Sequence, residues 1–307
     1  MISLILAQQI AVLVLMMLCG LLVVRAGLIR SEDSRVISVL CVYIILPCVM
    51  LHSFQITYSD EIRDGFFLAL AAAVAVHVLL LILVGILGKF LHFDRVEQMS
   101  LLYSNAGNLV IPLVSAVLGQ EWVIYASAFL CVQVLLLWTH GQSLMEQRAK
   151  FNWKKIVTNL NLIAAVLGMV FFFGKIQLPQ IIGSAVGNLA ATVGPISMLM
   201  LGMTMADTDW KGLFSSSRIY AIVLLKMLVI PGIVLFFLKY SPLANLSESG
   251  QRILLITLMA VITPSATTVV QLAQLYRQKP EYASAINIVT TLVSIVTMPL
   301  LVSVYLW

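Results

Sequence analysis

The residues best suited to chemistry in this sequence lie within one apolar segment, in the stretch Tyr103-Ser104-Asn105-Ala106-Gly107-Asn108-Leu109-Val110-Ile111-Pro112. Proline removes a backbone donor and clashes with the preceding turn, and glycine tolerates unusual backbone angles. The stretch therefore predicts a helix that breaks near the middle of a membrane. Amides at such a break are typical of the polar site of a secondary transporter. The alternative is a proline kink whose Asn side chains bond neighbouring helices.

A second apolar segment with a proline is surrounded by hydroxyl groups instead of amides. Beside Pro264 lie Thr257, Thr263, Ser265, Thr267 and Thr268. Two broken helices with different polar groups predict an asymmetric site where the breaks face each other. We expect substrate contacts from Asn105, Asn108, Gln133, Thr263, Thr267 and Asn287, and helix breaks at Gly107, Pro112 and Pro264. For Gln133 and Asn287, hydrogen bonding between helices is the alternative.

Lys226 lies near the middle of an apolar segment, five residues before Pro231. A cation within a membrane costs about 2.5 kcal/mol or more, and it indicates a functional site by default. We expect Lys226 to attract an anion or to take part in coupling. The alternatives are that its side chain extends to an interface or pairs with backbone carbonyls freed by the proline. His77, in another apolar segment, is a minor candidate for carrying a proton.

Composition indicates a polytopic membrane protein. Of the 307 residues, 61% are hydrophobic and only 10% are charged, whereas soluble domains carry about 25% charged residues. The net charge of +5 does not indicate nucleic-acid binding, because the basic residues lie in short loops between apolar segments. The four cysteines show no metal-ligand spacing, and no enzymatic motif is present. The sequence indicates no catalytic residue, metal or cofactor, and it leaves open a coupling proton or Na⁺.

Ten apolar segments are long enough to be membrane spans, given that a span needs about 17–25 residues. Their approximate bounds are 4–24, 36–54, 65–88, 98–118, 122–145, 159–174, 180–206, 217–238, 252–275 and 282–306. Loops after the odd-numbered segments hold thirteen Lys and Arg residues, including the basic loop at 148–155, and the other loops hold four. The positive-inside rule therefore predicts cytoplasmic odd-numbered loops and both termini outside the cytoplasm.

Three sequence matches between the two halves predict an internal repeat. The sequence Pro47-Cys48-Val49-Met50-Leu51 matches Pro195-Ile196-Ser197-Met198-Leu199, Tyr125-Ala126-Ser127-Ala128 matches Tyr282-Ala283-Ser284-Ala285, and Pro112 matches Pro264. We predict two five-helix halves, 1–150 and 151–307. Because each half has an odd number of spans, the halves must be inverted relative to each other. Inverted repeats place the substrate near the midplane, where broken helices four and nine cross.

The chain resembles the bacterial branch of the auxin efflux carrier family along its whole length. The resemblance rests on Asn105-x-Gly107-Asn108 with Ile111-Pro112-Leu113, Lys226 to Pro231, Pro264-Ser265-Ala266, and Ala283-Ser284 to Thr297-Met298-Pro299-Leu300. It implies the fold of bile acid–sodium symporters and NhaA-type antiporters. In that fold helices 1, 2, 6 and 7 form a scaffold that often dimerises, and helices 3–5 and 8–10 form a mobile transport domain. The resemblance places Asn105, Asn108, Pro112 and Pro264 at the crossing.

These observations predict a secondary transporter of a small organic anion that works by alternating access in a bacterial inner (plasma) membrane. No Asp or Glu lies near the middle of a span, which favours an anion over a cation as substrate. The resemblance implies small organic acids such as malate or malonate. One alternative is a sodium- or proton-coupled symporter of another solute, and a second is a membrane receptor that retains the fold without transport. A membrane enzyme is a more distant alternative.

Overall fold

The computed structural model describes residues 2–146, 154, 157–207, 212 and 217–307. Most of the basic loop at 148–155, the residue Lys211 and the predicted boundary at residue 150 lie outside these ranges. All regular elements among the described residues are helices, apart from one isolated bridge between Ser104 and Ser265. The structure thus confirms an all-helical fold. That ten spans cross the bilayer as two inverted halves stays a prediction.

Among the described residues, six helices are long and apolar enough to cross a membrane. We number them α2 (Ser31–Ser53), α3 (Asp60–Leu91), α5 (Gln120–Glu146), α7 (Gln180–Met205), α8 (Ser217–Lys239) and α10 (Pro280–Leu306). The remaining helices are α1 (Ile2–Arg25), α4a (Arg95–Leu102), α4b (Ala106–Val117), α6 (Leu160–Phe173), α9a (Gly250–Val261) and α9b (Thr267–Leu275). The predicted fourth and ninth segments are each present as two half-helices.

The helices pack in two groups. In the first group α2 packs on α6 and α7, and α1 runs along α7. In the second group α3 packs on α5 and α9a, while α10 packs on α9b and α8. Helix α3 shows how these elements suit a bilayer, since Val74, Val78, Ile82 and Ile86 recur every four residues on its exposed face. An apolar face without a protein partner is what lipid contact requires.

A π-turn precedes a proline in three of the helices. Residues Cys41–Ile45 of α2, Ala106–Val110 of α4b and Leu225–Val229 of α8 are π-helical, and a proline follows the first residue of each turn by six positions. Proline cannot donate a backbone hydrogen bond, and its ring clashes with the carbonyl four residues earlier. A wider turn relieves this clash locally. These prolines therefore distort their helices without ending them.

Helices α1 and α7 touch through their backbones at two glycines. A Cβ atom added to Gly20 would overlap the carbonyl oxygen of Leu199, and one added to Gly202 would overlap that of Met17. Small residues permit such close helix approach in membranes, where packing and not water exclusion drives association. The pair α1–α7 is therefore a closely fitted unit of the first group.

Replacing Gly202 by Ala should lower the thermal stability of the protein. The added methyl group would meet backbone atoms, and overpacking of this kind costs about 1–3 kcal/mol or more. Melting of the purified protein, followed by tryptophan fluorescence, measures the effect. The matched control is Gly85→Ala in α3, where nothing lies within 4 Å of the new Cβ. Equal melting temperatures for the two variants would contradict the close contact.

A buried carboxylate, that of Glu97, holds the N-terminal end of α4a in place. Glu97 is 2% exposed, and its two oxygens accept hydrogen bonds from Arg218 Nε at 2.6 Å and Nη2 at 2.7 Å. The Tyr282 hydroxyl donates to Oε1 at 2.8 Å, and the backbone N–H of Asp94 donates to Oε2 at 2.8 Å. The forked Arg–carboxylate geometry is the strong, directional form of an ion pair. Glu97 thereby joins the ends of α4a, α8 and α10.

The pKa of Glu97 lies below its ordinary value. Burial alone would raise the pKa, but the hydrogen bonds from Arg218, the Asp94 N–H and Tyr282 favour the carboxylate and outweigh it. A depressed pKa contributes stability that is present above the unfolded value of about 4.3. That contribution is lost as the pH falls through the lower pKa of the folded state.

Replacing Glu97 by Gln should therefore lower the melting temperature at neutral pH, because it leaves the Arg218 guanidinium without its counter-charge. The difference from wild type should shrink as the pH is lowered below about 4, since wild-type Glu97 then also loses its charge. Melting curves of both proteins between neutral and acid pH test this. The control is Glu248→Gln, at an exposed position. A difference that does not change with pH would contradict the ion-pair interpretation.

Candidate functional site

Two interrupted helices cross at the centre of the second group. Helix α4a ends at Leu102, and α9a ends at Val261. Between the half-helices, the segment at Tyr103–Asn105 runs antiparallel to the segment at Pro264–Ala266. The Asn105 N–H donates to the Pro264 carbonyl at 2.8 Å, and the Ala266 N–H donates to the Tyr103 carbonyl at 3.0 Å. Each break thus supplies hydrogen-bond partners for the other, which unpaired backbone in an apolar region requires.

Side chains from α5 and α10 form hydrogen bonds with the backbone N–H and carbonyl groups of Ser104 and Ser265. The Ser104 N–H donates to Gln133 Oε1 at 3.1 Å, and Gln133 Nε2 donates to the Ser104 carbonyl at 2.8 Å. On the second segment of the crossing, the Ser265 N–H donates to Thr290 Oγ1 at 3.2 Å, and Asn287 Nδ2 donates to the Ser265 carbonyl at 2.6 Å. The single amide of Gln133 on α5 thus bonds both backbone groups of Ser104. On α10 the same two backbone groups of Ser265 are bonded by the Thr290 hydroxyl and the Asn287 amide.

Three polar side chains meet at the beginnings of α4b and α9b. Asn108 Nδ2 donates to Thr267 Oγ1 at 2.9 Å, and the Thr267 hydroxyl lies 3.5 Å from Asn105 Oδ1. We call Asn105, Asn108 and Thr267 the polar triad. All three are at least 94% buried, yet Asn105 Nδ2 and Asn108 Oδ1 have no hydrogen-bond partner among the described residues. Unpaired buried polar atoms are costly, so these two atoms are suited to bonding a ligand.

The electrostatics of the triad favour a negative ligand. Helices α4b and α9b both begin here, at Ala106 and Thr267. The first N–H groups of a helix have no intrahelical partner, and each helix start carries about half a positive elementary charge. Two such ends, with an amide N–H from Asn105, make an anion site of a common type. The triad and the helix starts together can bind a carboxylate.

Two cavities lie against opposite ends of α2, each lined by helices of both groups. The larger one, of about 1220 Å³, opens near the loops after α1, α7 and α9b. Its lining includes Ser38 and Val42 of α2, Thr268 and Gln271 of α9b, and Ala285 of α10. Thr268 directly follows Thr267, so this cavity reaches the residue next to the triad, while the triad side chains themselves stay buried. Its mouth carries both signs of charge, namely Glu32, Arg35, Asp207, Arg277 and Glu281.

The smaller cavity has a volume of about 280 Å³ and lies beside the second half of helix four. It is lined by His52 and Ser53 of α2, by Pro112 and Ser115 of α4b, and by Ala191 of α7. It thus separates the two groups of helices on the side away from the large cavity. The cavity toward one end of the molecule is therefore wide, and the cavity toward the other end is narrow.

The structure assigns different positions to the residues singled out in the sequence. It brings Asn105, Asn108 and Thr267 together. Gln133 and Asn287 are close by, but their amide groups bond backbone at the crossing. The Thr263 hydroxyl donates to the Ala260 carbonyl in its own helix at 2.8 Å. Lys226 contacts the end of α4a and forms no described hydrogen bond to the triad.

Two of the predicted helix breaks need correction. Pro264 lies within the break after α9a, whereas the other break is at Tyr103–Asn105, ahead of Gly107 and Pro112. The π-turn at Ala106–Val110 absorbs the effect of Pro112. The two residues instead face the first group of helices. A Cβ on Gly107 would lie 3.2 Å from Leu46 Cδ2, and Pro112 packs against Gly194.

The sequence reading did not identify the structural importance of Ser104 and Ser265, the residues that face each other at the crossing. A lone serine in an apolar segment commonly bonds its own helix, so its type alone carries no signal. Glu97 was also missed, because it lies just outside the apolar part of its segment. A spacing rule could not have found the partners that join distant segments, since Val261 is 157 residues from Ser104 and Arg218 is 121 residues from Glu97.

Comparison with protein families gives an independent result. The model of a family described as membrane transport protein matches the chain twice, over residues 5–152 and over residues 147–302. Each match covers about one half of the chain, and together they leave only the ends unmatched. No curated protein sequence matches the chain.

Replacing Gln133 by Leu should destabilise the protein strongly. The substitution keeps the volume but leaves the Ser104 N–H and carbonyl without partners, at about 1–3 kcal/mol for each buried group. Thermal melting of the purified protein measures the loss. The matched control is Gln177→Leu, because Gln177 also bonds a backbone carbonyl, that of Ile56, but at an exposed position. Similar small effects for both variants would contradict the role assigned to Gln133.

Proposed function

The chain belongs to the auxin efflux carrier family of membrane transport proteins, and from this we propose that it is a secondary transporter of a small organic anion. The observation that carries the proposal is the polar triad at the starts of α4b and α9b. Its unpaired Asn105 Nδ2 and Asn108 Oδ1 are buried next to two positive helix ends. A carboxylate accepts from the Asn105 amide and from free backbone N–H groups. A hydroxyl or protonated carboxyl on the same substrate donates to Asn108 Oδ1.

The two cavities support alternating access to this site. The large cavity opens beside the loops that follow odd-numbered helices, which the excess of Lys and Arg assigns to the cytoplasm. In this assignment the protein is open to the cytoplasm and nearly closed on the other side. The small cavity beside His52 and Pro112 is the place where the outer path opens when the inner one closes.

The packing suggests which parts move. Helices α1, α2, α6 and α7 serve as the scaffold, and helices α3–α5 and α8–α10 carry the crossing. Gly107 and Pro112 lie against Leu46 of α2 and Gly194 of α7, so this contact is the surface along which the two groups shift. Small residues there permit sliding without large side-chain rearrangement. The two family matches, one per half, support descent of the two five-helix halves from an internal repeat, and each half contributes helices to both groups.

Recognition is expected at the triad and not at the mouth of the large cavity. Carboxylates and guanidinium groups both line the mouth, which does not favour one sign of charge. The triad, in contrast, adds only amides, a hydroxyl and positive helix ends. We therefore assign substrate binding to Asn105, Asn108 and Thr267. Gln133, Asn287 and Thr290 hold the backbone that presents them.

Flux in proteoliposomes tests the proposal. Purified protein is assayed with labelled malate, malonate and an indole carboxylic acid, and wild type should show saturable flux of at least one of them. Asn108→Ala should raise the KM about 2–10-fold, because Asn108 Oδ1 bonds an uncharged donor of the substrate and such a hydrogen bond is worth about 0.5–1.5 kcal/mol. Asn108→Asp has the same shape but repels an anion, so flux should fall further.

The control is Asn245→Ala, at an exposed position in the short 3-10 helix Pro242–Leu246. Absence of flux for every acid with folded, inserted protein would contradict the anion proposal. Flux that is unchanged in Asn108→Ala would remove the triad from the binding site. Flux of a labelled acid that increases in Asn108→Asp would contradict an anion-binding role of the triad. Runs with and without Na⁺ or proton gradients then determine the coupling.

A further inference from the structure

Lys226 is buried at the crossing without an acidic partner. Its side chain is 2% exposed and lies in the π-turn of α8 that precedes Pro231. Its ammonium donates to the Leu101 carbonyl at 3.2 Å and to Ser104 Oγ at 2.9 Å. Within the described ranges no carboxylate forms an ion pair with it. The other titratable group in electrostatic range is His77 of α3, which adds no negative charge.

Both contacts of Lys226 lead to the C-terminal end of a half-helix. Leu101 is the penultimate residue of α4a, and its carbonyl is one of those left free by the end of the helix. The Ser104 hydroxyl, which accepts from Lys226, in turn donates to the carbonyl of Val261 at 3.1 Å. Val261 is the last residue of α9a. One ammonium thus serves the ends of α4a and α9a, directly in one case and through a hydroxyl in the other.

The charge of the Lys226 ammonium is comparable in size to the summed partial charge of the two helix ends that it contacts. Each helix C-terminus carries about half a negative elementary charge, so two converging ends carry about one. A single ammonium neutralises that amount. The starts of α4b and α9b carry the opposite charge, and the triad lies there. The crossing therefore separates its charges, with the negative ends facing Lys226 and the positive ends facing the triad.

A cation stabilises a helix C-terminus, and the effect is largest where the end is partly buried. We propose that Lys226 is the resident cation of the crossing, occupying the place that a bound monovalent cation would otherwise take between the ends of α4a and α9a. Carbonyl and hydroxyl oxygens are the ligands that hard cations such as Na⁺ prefer. Removal of the Lys226 side chain uncovers Leu101 O and Ser104 Oγ and leaves space for an ion and its water.

A consequence for coupling follows, and it rests on the proposed transport function. Because the cation is covalently attached, anion transport by the wild-type protein needs no bound Na⁺ or K⁺ at this position. Neutral substitutions of Lys226 should make both folding and transport dependent on a monovalent cation. Lys226 is in this sense a positioning residue, acting on the backbone of the crossing and not on the substrate.

The first test measures thermal stability and needs no substrate. Full-length wild type, Lys226→Met and Lys226→Gln are melted in lipid nanodiscs in choline chloride, NaCl, KCl or methylammonium chloride at equal ionic strength. Wild type should melt at the same temperature in all four salts. Both neutral variants should lose roughly 5–10 °C in choline. A small cation should restore most of that loss, with saturation.

Two controls separate charge from other effects. Lys226→Arg keeps the charge and should show no response to the cation. Lys239→Met removes a second lysine of α8 that donates to a helix-end carbonyl, that of Val304 at 2.9 Å, but at an exposed site. That variant should lose little stability, and all salts should act on it alike. If neither neutral variant folds in choline, purification throughout in NaCl or KCl provides the same comparison.

Three results would overturn the proposal. One is a wild-type protein that Na⁺ stabilises. Another is a Lys226→Gln variant as stable as wild type with no response to cations, which would leave hydrogen bonding as the whole role of Lys226. The third is failure of every salt to restore the neutral variants while Lys226→Arg folds.

A second test applies the same salts to proteoliposome flux, where the neutral variants should regain transport several-fold when Na⁺ replaces choline. A positive first test without any flux would contradict the transport proposal and leave the cation role intact. Flux in a neutral variant that is unchanged in all salts would contradict the coupling consequence.

Discussion

The pairing of Tyr103–Asn105 with Pro264–Ala266 is the interaction on which the rest of the structure depends. A helix interrupted in an apolar region leaves several backbone groups without partners, at several kcal/mol each if they stay unpaired. The two segments form backbone hydrogen bonds with each other at the bridge. The remaining groups at Ser104 and Ser265 are then taken by Gln133, Asn287 and Thr290. Helices α5 and α10 are held where they are because their polar side chains must reach these groups.

The same arrangement decides where charge can be bound. Four half-helices end or begin within a few residues of one another, so their partial charges are concentrated in a small volume. Lys226 lies on the negative side, and amide and hydroxyl groups lie on the positive side. A buried ion pair would have cancelled the field at the site. Separation keeps a positive region free for a ligand while no carboxylate has to be desolvated.

The membrane class and the two interrupted helices could be predicted from the sequence, because long apolar runs and intramembrane polar residues have few explanations. The sequence grouped Asn105, Asn108 and Thr267 with Gln133, Thr263 and Asn287, and residue types alone could not separate the three that meet from the three that bond backbone. The position of the first break could not be predicted, since Tyr103-Ser104-Asn105 contains no residue that forbids a helix, while Pro112 does and yet is accommodated. The partners of Gln133, Glu97 and Lys226 are set by packing between distant segments, which single-residue types do not encode.

The π-turn at Leu225–Val229 has a geometric consequence for α8. A π-turn holds one residue more than the α-helical turn, so the chain beyond it is rotated by about 100° relative to an uninterrupted helix. Side chains before and after the turn therefore belong to two different helical wheels. A wheel drawn continuously through Lys226 and Pro231 would assign one of them to the wrong face. The offset lets a single helix direct Lys226 to the crossing and still present a separate apolar stripe to lipid.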